Sequence, residues 1–192
     1  MKKFQVTSGA MVCSDPCYTT DVWCMSTVNN VKNGTWAAEV DTVESYGHRI
    51  SELRVKHIDA DTNGSKWEML TGDFGVDSGQ FGFFDSVHYR KAASVKGVPL
   101  YDFGGDFLTD NSDRDGDIWY RACCNLTLGK DSWGVIPHGA VSSSGYGDGS
   151  YGVAALKDVN GQYIAFQVIF IGEEEDEDED EFLDEDEVDQ FL

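Results

Sequence analysis

The nine residues Tyr163-Ile164-Ala165-Phe166-Gln167-Val168-Ile169-Phe170-Ile171 are apolar except for Gln167, and one glycine later nine consecutive acids begin, Glu173 to Glu181. An apolar run of that length, rich in β-branched and aromatic residues, reads as a central β-strand covered on both faces. The acidic run cannot follow it into a core, because its like charges repel and nothing apolar offsets the entropy of ordering them. The expected organisation is therefore a β-rich globular body over residues 1–172 and a disordered acidic tail over residues 173–192.

Alternation with a period of two recurs through the body, as half-buried strands require. In Trp36 to Asp41, Trp36, Ala38 and Val40 share one face, while Glu39 and Asp41 take the other. In Ile50 to His57, Leu53, Val55 and His57 alternate with Glu52, Arg54 and Lys56. Further strands are expected at Phe4–Ser8, Ala10–Cys13, Gln80–Phe84, Ile118–Leu128, Gly134–Val141 and Ser150–Leu156. In the strand expected at 118–128, Cys123 and Cys124 would point to opposite faces. Helical spacing is scarce. Short helices are expected at Asp85–Ala93, with Asp85 as N-cap, and at Tyr18–Met25. With 21 glycines against 3 prolines, tight turns between short strands are favoured. The pattern predicts a mainly β fold, an antiparallel sandwich or partly closed barrel, with one or two short helices. The Gly- and Asp-rich stretch Tyr101–Asp117 reads as a long exposed loop.

Charge narrows the range of partners. The chain carries a formal charge of −21, of which residues 173–192, with 14 acids and no Lys or Arg, hold −14 and the body −7. An acidic body repels phosphate backbones and anionic lipid surfaces, so neither nucleic acid nor membrane is an expected partner. No run reaches the ~20 apolar residues of a membrane span. The residues Met1-Lys2-Lys3-Phe4-Gln5-Val6 show no apolar signal segment, and the five cysteines are odd in number. These features point to a reducing cytoplasm and free thiols.

Three segments concentrate unusual residues at strand ends, where a rigid sheet presents its loops. They are Ser14-Asp15-Pro16-Cys17-Tyr18, Gly75-Val76-Asp77-Ser78-Gly79-Gln80 leading to Asp85, and Ser142 to Tyr151. In the last, Gly145, Gly147 and Gly149 leave backbone N–H groups uncovered, so the loop could cradle an anion. Ser144, Tyr146, Asp148 and Tyr151 would add directional contacts. The same residues also suit a hairpin with an Asp-Gly turn.

With these motifs, Ser14-Asp15-Pro16-Cys17-Tyr18, Gly75 to Gln80 and Ser144 to Tyr151, the chain resembles a family of small uncharacterised bacterial and bacteriophage proteins, similar to domain of unknown function 4241. The resemblance spans about Val6 to Ile171 and leaves out the acidic tail. It implies a β-rich fold and a bacterial or phage origin, and it brings no established reaction.

Read chemically, the loops would gather Asp15, Asp77, Asp85 and Asp148. Converging carboxylates can hold a divalent cation or share a proton. Ligand-binding candidates are thus Asp15, Cys17, Tyr18, Asp77, Ser78, Gln80, Asp85, Ser144, Tyr146, Asp148 and Tyr151. Alternatively, Asp15 caps a turn before Pro16 and Cys17 packs as a small hydrophobe. Asn111–Ile118 and Asp59–Gly64 half-match calcium loops but have Ala122 and Leu70 where a bidentate Glu belongs. Hairpin turns account for both more simply. The irregularly spaced Cys13, Cys17 and Cys24 form no zinc pattern. No cofactor or metal is expected.

In the tail, Phe182, Leu183, Val188, Phe191 and Leu192 punctuate the acids and could dock a stripe on a partner. The expected function is non-enzymatic binding of a host protein with a basic surface, in the manner of a DNA mimic. The alternative is a small hydrolase or lyase built on the carboxylates, with or without a metal.

Overall fold

The computed structural model describes residues 1–62, 66–104 and 113–172. In chain order its strands are β1 (Lys2–Val6), β2 (Ala10–Ser14), β3 (Ser26–Asn29), β4 (Gly34–Glu44), β5 (His48–His57), β6 (Glu68–Met69), β7 (Phe74–Val76), β8 (Gln80–Asp85), β9 (Trp133–Ile136), β10 (Gly139–Ser143), β11 (Gly149–Tyr151), β12 (Val153–Lys157) and β13 (Tyr163–Ile169). One α-helix, α1 (Arg114–Thr127), lies between β8 and β9. The mainly β architecture expected from the alternation is what forms.

One sheet has the order β1-β4-β5-β13-β12-β6, a second has β3-β2-β8-β10-β9, and β11 pairs with β7 in a small third. The named strand pairs are antiparallel. The sheets remain open, so the fold is a sandwich and not a barrel. Between the two large sheets lies the main core, including Trp36, Leu53, Val55, Phe81, Phe83, Phe166 and Val168. The second sheet is covered again on its other face: Val12, Phe84 and Val141 pack against Tyr89, Val95, Trp119, Ala122 and Cys123. Two apolar layers therefore flank β2, β8 and β10, which explains why β2 and β8 are buried at every residue.

This double covering departs from expectation at β13. That strand is central in its sheet, but Gln167 is only half-buried and Ile169 is 46% exposed. Its outer face is covered at one end alone, where Ala165 joins Leu156 and Ile164 beneath Ala60 and Trp67.

Several local expectations are corrected. The strand read at 118–128 is the helix α1, whose buried Trp119, Ala122, Cys123 and Thr127 follow the i, i+3, i+4 spacing of a helix face. Cys123 and Cys124 are consequently both buried. Asp113, read as part of a loop, is the N-cap: its side chain accepts from Gly116 N at 3.0 Å and from Arg90 Nη2 at 2.6 Å. The helix expected at 85–93 is two 3-10 turns, Ser86–His88 and Ala92–Val95, separated by Arg90 at φ 55°. At 18–25 there are only turns, with Asp21 at φ 68°. Gly134–Val141 is a hairpin turning at Pro137-His138, and Ser150–Leu156 divides at Gly152 between two sheets. Asn63–Ser65, residues 105–112 of the loop expected at 101–117 and the tail residues Phe182, Leu183, Val188, Phe191 and Leu192 lie outside the described residues.

Replacing the helix cap, Asp113→Ala, removes both the Gly116 bond and the Arg90 pair. A loss of about 1–2 kcal/mol in urea unfolding is expected, since Arg90 retains bonds to the Pro16 and Cys17 carbonyls.

Candidate functional site

The three loops singled out in the sequence meet at one end of the sandwich, and Asp15 holds them there. Its carboxylate is fully buried. Oδ1 accepts from Cys17 N at 2.8 Å and Ser78 Oγ at 2.6 Å, and Oδ2 accepts from Asp77 N at 2.9 Å and Ser78 N at 2.7 Å. The turn-capping alternative for Asp15 thus holds, extended by a clasp on a loop more than sixty residues away in sequence. The third loop joins through Gly79 N, which donates to Asp148 Oδ1 at 3.0 Å, and Ser144 N, which donates to Gly79 O at 3.0 Å.

Within the third loop, Tyr151 and Ser144 are structural. The Tyr151 hydroxyl donates to the Ser144 and Gly147 carbonyls at 3.0 and 2.7 Å, and Ser144 Oγ donates to Gly147 O at 2.9 Å. Gly145 sits at φ 61° with an added Cβ only 2.9 Å from Phe170, so a side chain would be excluded there. Gln80 is buried and ties β8 to α1: its Nε2 donates to Tyr120 Oη at 3.3 Å, and its Oε1 accepts from Thr127 Oγ1 at 2.8 Å.

The sulfur at this end is not poised for nucleophilic attack. Burial, then the Asp15 charge, pushes the Cys17 thiol up to about 12, so it is protonated near neutral pH. Burial, then a hydrogen bond with Cys24, raises the Tyr18 phenol well above its usual range. By contrast, Asp77 and Asp148 are exposed.

The same end carries exposed aromatics: Tyr146, one of the candidates read from the sequence, and Trp23 and Tyr46, which were not among them. Trp23 is 79% exposed, and the adjacent Cys24 carbonyl accepts from Gly75 N. Tyr146 is 55% exposed; its hydroxyl lies 2.6 Å from Ser45 Oγ, and the Arg49 guanidinium sits over its ring. Tyr46, in the same β4–β5 turn, is 94% exposed. Tyr146 lines a cleft of about 480 Å³ with Thr42, Glu44, Ser51, Ile171 and Gly172, the residue that precedes the acidic segment in the sequence.

Asp85 does not join this end, contrary to expectation. It closes the opposite end of β8, five residues from Gln80, or roughly 17 Å along an extended strand. There it forms a second buried clasp. Oδ2 accepts from Thr7 N at 2.7 Å and Thr7 Oγ1 at 2.6 Å, while Oδ1 accepts from Ser8 N at 3.2 Å and from the Ser8 hydroxyl. Burial opposes the charge, but the Ser8 and Thr7 hydrogen bonds outweigh it and hold this carboxyl below its ordinary value.

His88 and His138 stack beside Asp85, with ring centroids 3.5 Å apart and planes 12° from parallel. His88 Nε2 lies 3.9 Å and His138 Nδ1 4.0 Å from Asp85 Oδ2, so the trio has the composition of a metal site. The hydrogen bonds argue otherwise. His138 Nδ1 is 3.2 Å from the Gln5 carbonyl and must donate to it. The Thr7 hydroxyl proton is engaged by Asp85, so His88 Nε2, 3.3 Å from Thr7 Oγ1, is a donor too. The nitrogens nearest Asp85 are therefore the protonated ones, and the trio cannot converge on one ion without breaking these bonds. Burial, then the neighbouring His138, lowers the His88 pKa.

Sequence reasoning missed this pair. The available signal was residues 86–101, which hold His88, Arg90, Lys91 and Lys96 and no acid, in a chain with 35 Asp and Glu. Comparisons with protein-family models, curated proteins and solved structures returned no match. Among the described residues, no helix is long and apolar enough to cross a membrane.

Proposed function

We propose that the protein is a binding module, not an enzyme, and that the three-loop end recognises a partner with a basic surface. The observation that carries this reading is the Asp15 clasp. It engages the one buried carboxylate at that end in four hydrogen bonds, leaving Asp77, Asp148, Trp23, Tyr46 and Tyr146 as the outward chemistry. Exposed aromatics beside carboxylates suit Lys and Arg side chains, which stack on the rings while pairing with the acids. Residues 173–192 add 14 acids after Gly172 of the Tyr146 cleft, and this charge raises the encounter rate with a basic partner. Together with the resemblance to bacterial and phage proteins, this gives a host macromolecule as the partner class.

Fluorescence anisotropy with a labelled peptide of interleaved Arg and Tyr residues tests the reading. Trp23→Ala and Tyr146→Ala leave the charge unchanged and remove no buried group. Together they are expected to weaken binding about tenfold, as the loss of two aromatic anchors implies. Equal affinity in the double variant would show that charge alone attracts the peptide, and the three-loop end would lose its assignment.

A further inference from the structure

The pole opposite the three loops has chemistry of another kind. Beside the His88–His138 stack opens a cleft of about 560 Å³, lined by Val87, His88, Lys91, Ser94, Lys96, Asp115, Pro137 and His138 among others. That volume falls in the range of small-molecule sites. Lys91 and Lys96 are exposed, and neither forms an ion pair with a described residue. Asp113, which feels the Lys91 charge, is already bound to Arg90. Asp115 is the one carboxylate lining the cleft, and it lies in the first turn of α1, where the helix dipole partly offsets its charge.

We infer that this cleft is an anion site for a small phosphate monoester, held by Lys91 and Lys96 and by the outward nitrogens of His88 and His138. The hydrogen bonds to Thr7 and Gln5 fix the tautomers, leaving His88 Nδ1 and His138 Nε2 as the lone-pair nitrogens. A phosphate monoester has a second pKa of about 6, so near neutrality it readily shares a proton with such a nitrogen. Asp85 lies behind both rings and does not line the cleft, and two lysines balance a dianion. The same lysines repel a divalent cation. An anion site is unexpected on a chain of charge −21, and the acid-free stretch 86–101 is what makes it local.

The chain has only four histidines, so their ring Cε1–H NMR signals report directly on this pole. The full chain is titrated with glycerol-2-phosphate at constant salt, with succinate in a parallel arm as a dianion lacking phosphorus. Saturable shifts confined to His88 and His138, with His48 and His57 unmoved, are expected. Succinate should bind more weakly. Lys91→Met with Lys96→Met, both at exposed positions, should weaken the phosphate ester about tenfold or more. Unchanged affinity in that double variant, shifts spread over all four histidines, or succinate binding as tightly would each overturn the assignment. A Zn²⁺ titration closes the remaining alternative: one-to-one zinc binding at His88 and His138, with no response to the phosphate ester, makes the pole a metal site instead.

Discussion

Asp15→Ala is expected to destabilise the protein by about 4 kcal/mol, the largest effect of any single polar substitution at the three-loop end. The side chain is fully buried and accepts from Cys17 N, Asp77 N, Ser78 N and Ser78 Oγ. Truncation leaves these donors unsatisfied, at about 1–3 kcal/mol for each that water cannot reach. Ser78 is only half-buried and Asp77 is exposed, so water recovers part of the loss and the total falls below the simple sum. Asp15→Asn keeps the volume but turns an amide N–H₂ toward two of the donors, and about 2–3 kcal/mol is expected. Urea unfolding at pH 7 measures both. A loss under about 1 kcal/mol for the alanine variant would show that the loops hold without the clasp. Peptide binding at the three-loop end should weaken in parallel, because the clasp sets where Asp77 and Asp148 stand.

How far this arrangement could be read from the sequence differs from one feature to another. Period-two alternation located β4 and β5, because one face of each strand meets solvent and the polar residues mark it. Convergence of the three loops was also legible, since Ser14, Gln80 and Ser143 end neighbouring strands of one sheet and their following or preceding turns must meet. The helix α1 was misread because Ile118-Trp119-Tyr120 and Ala122-Cys123-Cys124 are apolar in continuous runs, where helix and strand look alike. Its cap, Asp113, is visible only once Arg90 is known to lie beside it. Asp85 was grouped with the wrong carboxylates because sequence proximity to Gln80 conceals that a strand carries its two ends apart. The outward Trp23 and Tyr46 were hidden too, whereas Tyr146 was legible from its glycine-rich loop: nothing in a residue's identity alone says which aromatics the core leaves out.

The second buried clasp makes a prediction of its own, with a pH dependence. Asp85→Asn is expected to lose about 3 kcal/mol at pH 7, since Thr7 and Ser8 supply four donors to a carboxylate with no exposed surface. Its folded-state pKa lies below the ordinary 3.8 of the unfolded chain. The stabilisation is therefore complete above that value and disappears as pH falls through the lower folded value. Urea midpoints from pH 7 downward should show a constant gap between the parent chain and Asp85→Asn until about pH 4, and a narrowing gap below it. A gap that instead opened on acidification would reverse the sign of the shift and remove the clasp from the argument. The variant also bears on the opposite pole's chemistry. Without a carboxylate behind Thr7, the Thr7 hydroxyl is free to turn its proton toward His88 Nε2. The tautomer that presents His88 Nδ1 to the cleft is then no longer enforced, so the phosphate ester should bind less tightly to Asp85→Asn under conditions where that variant remains folded.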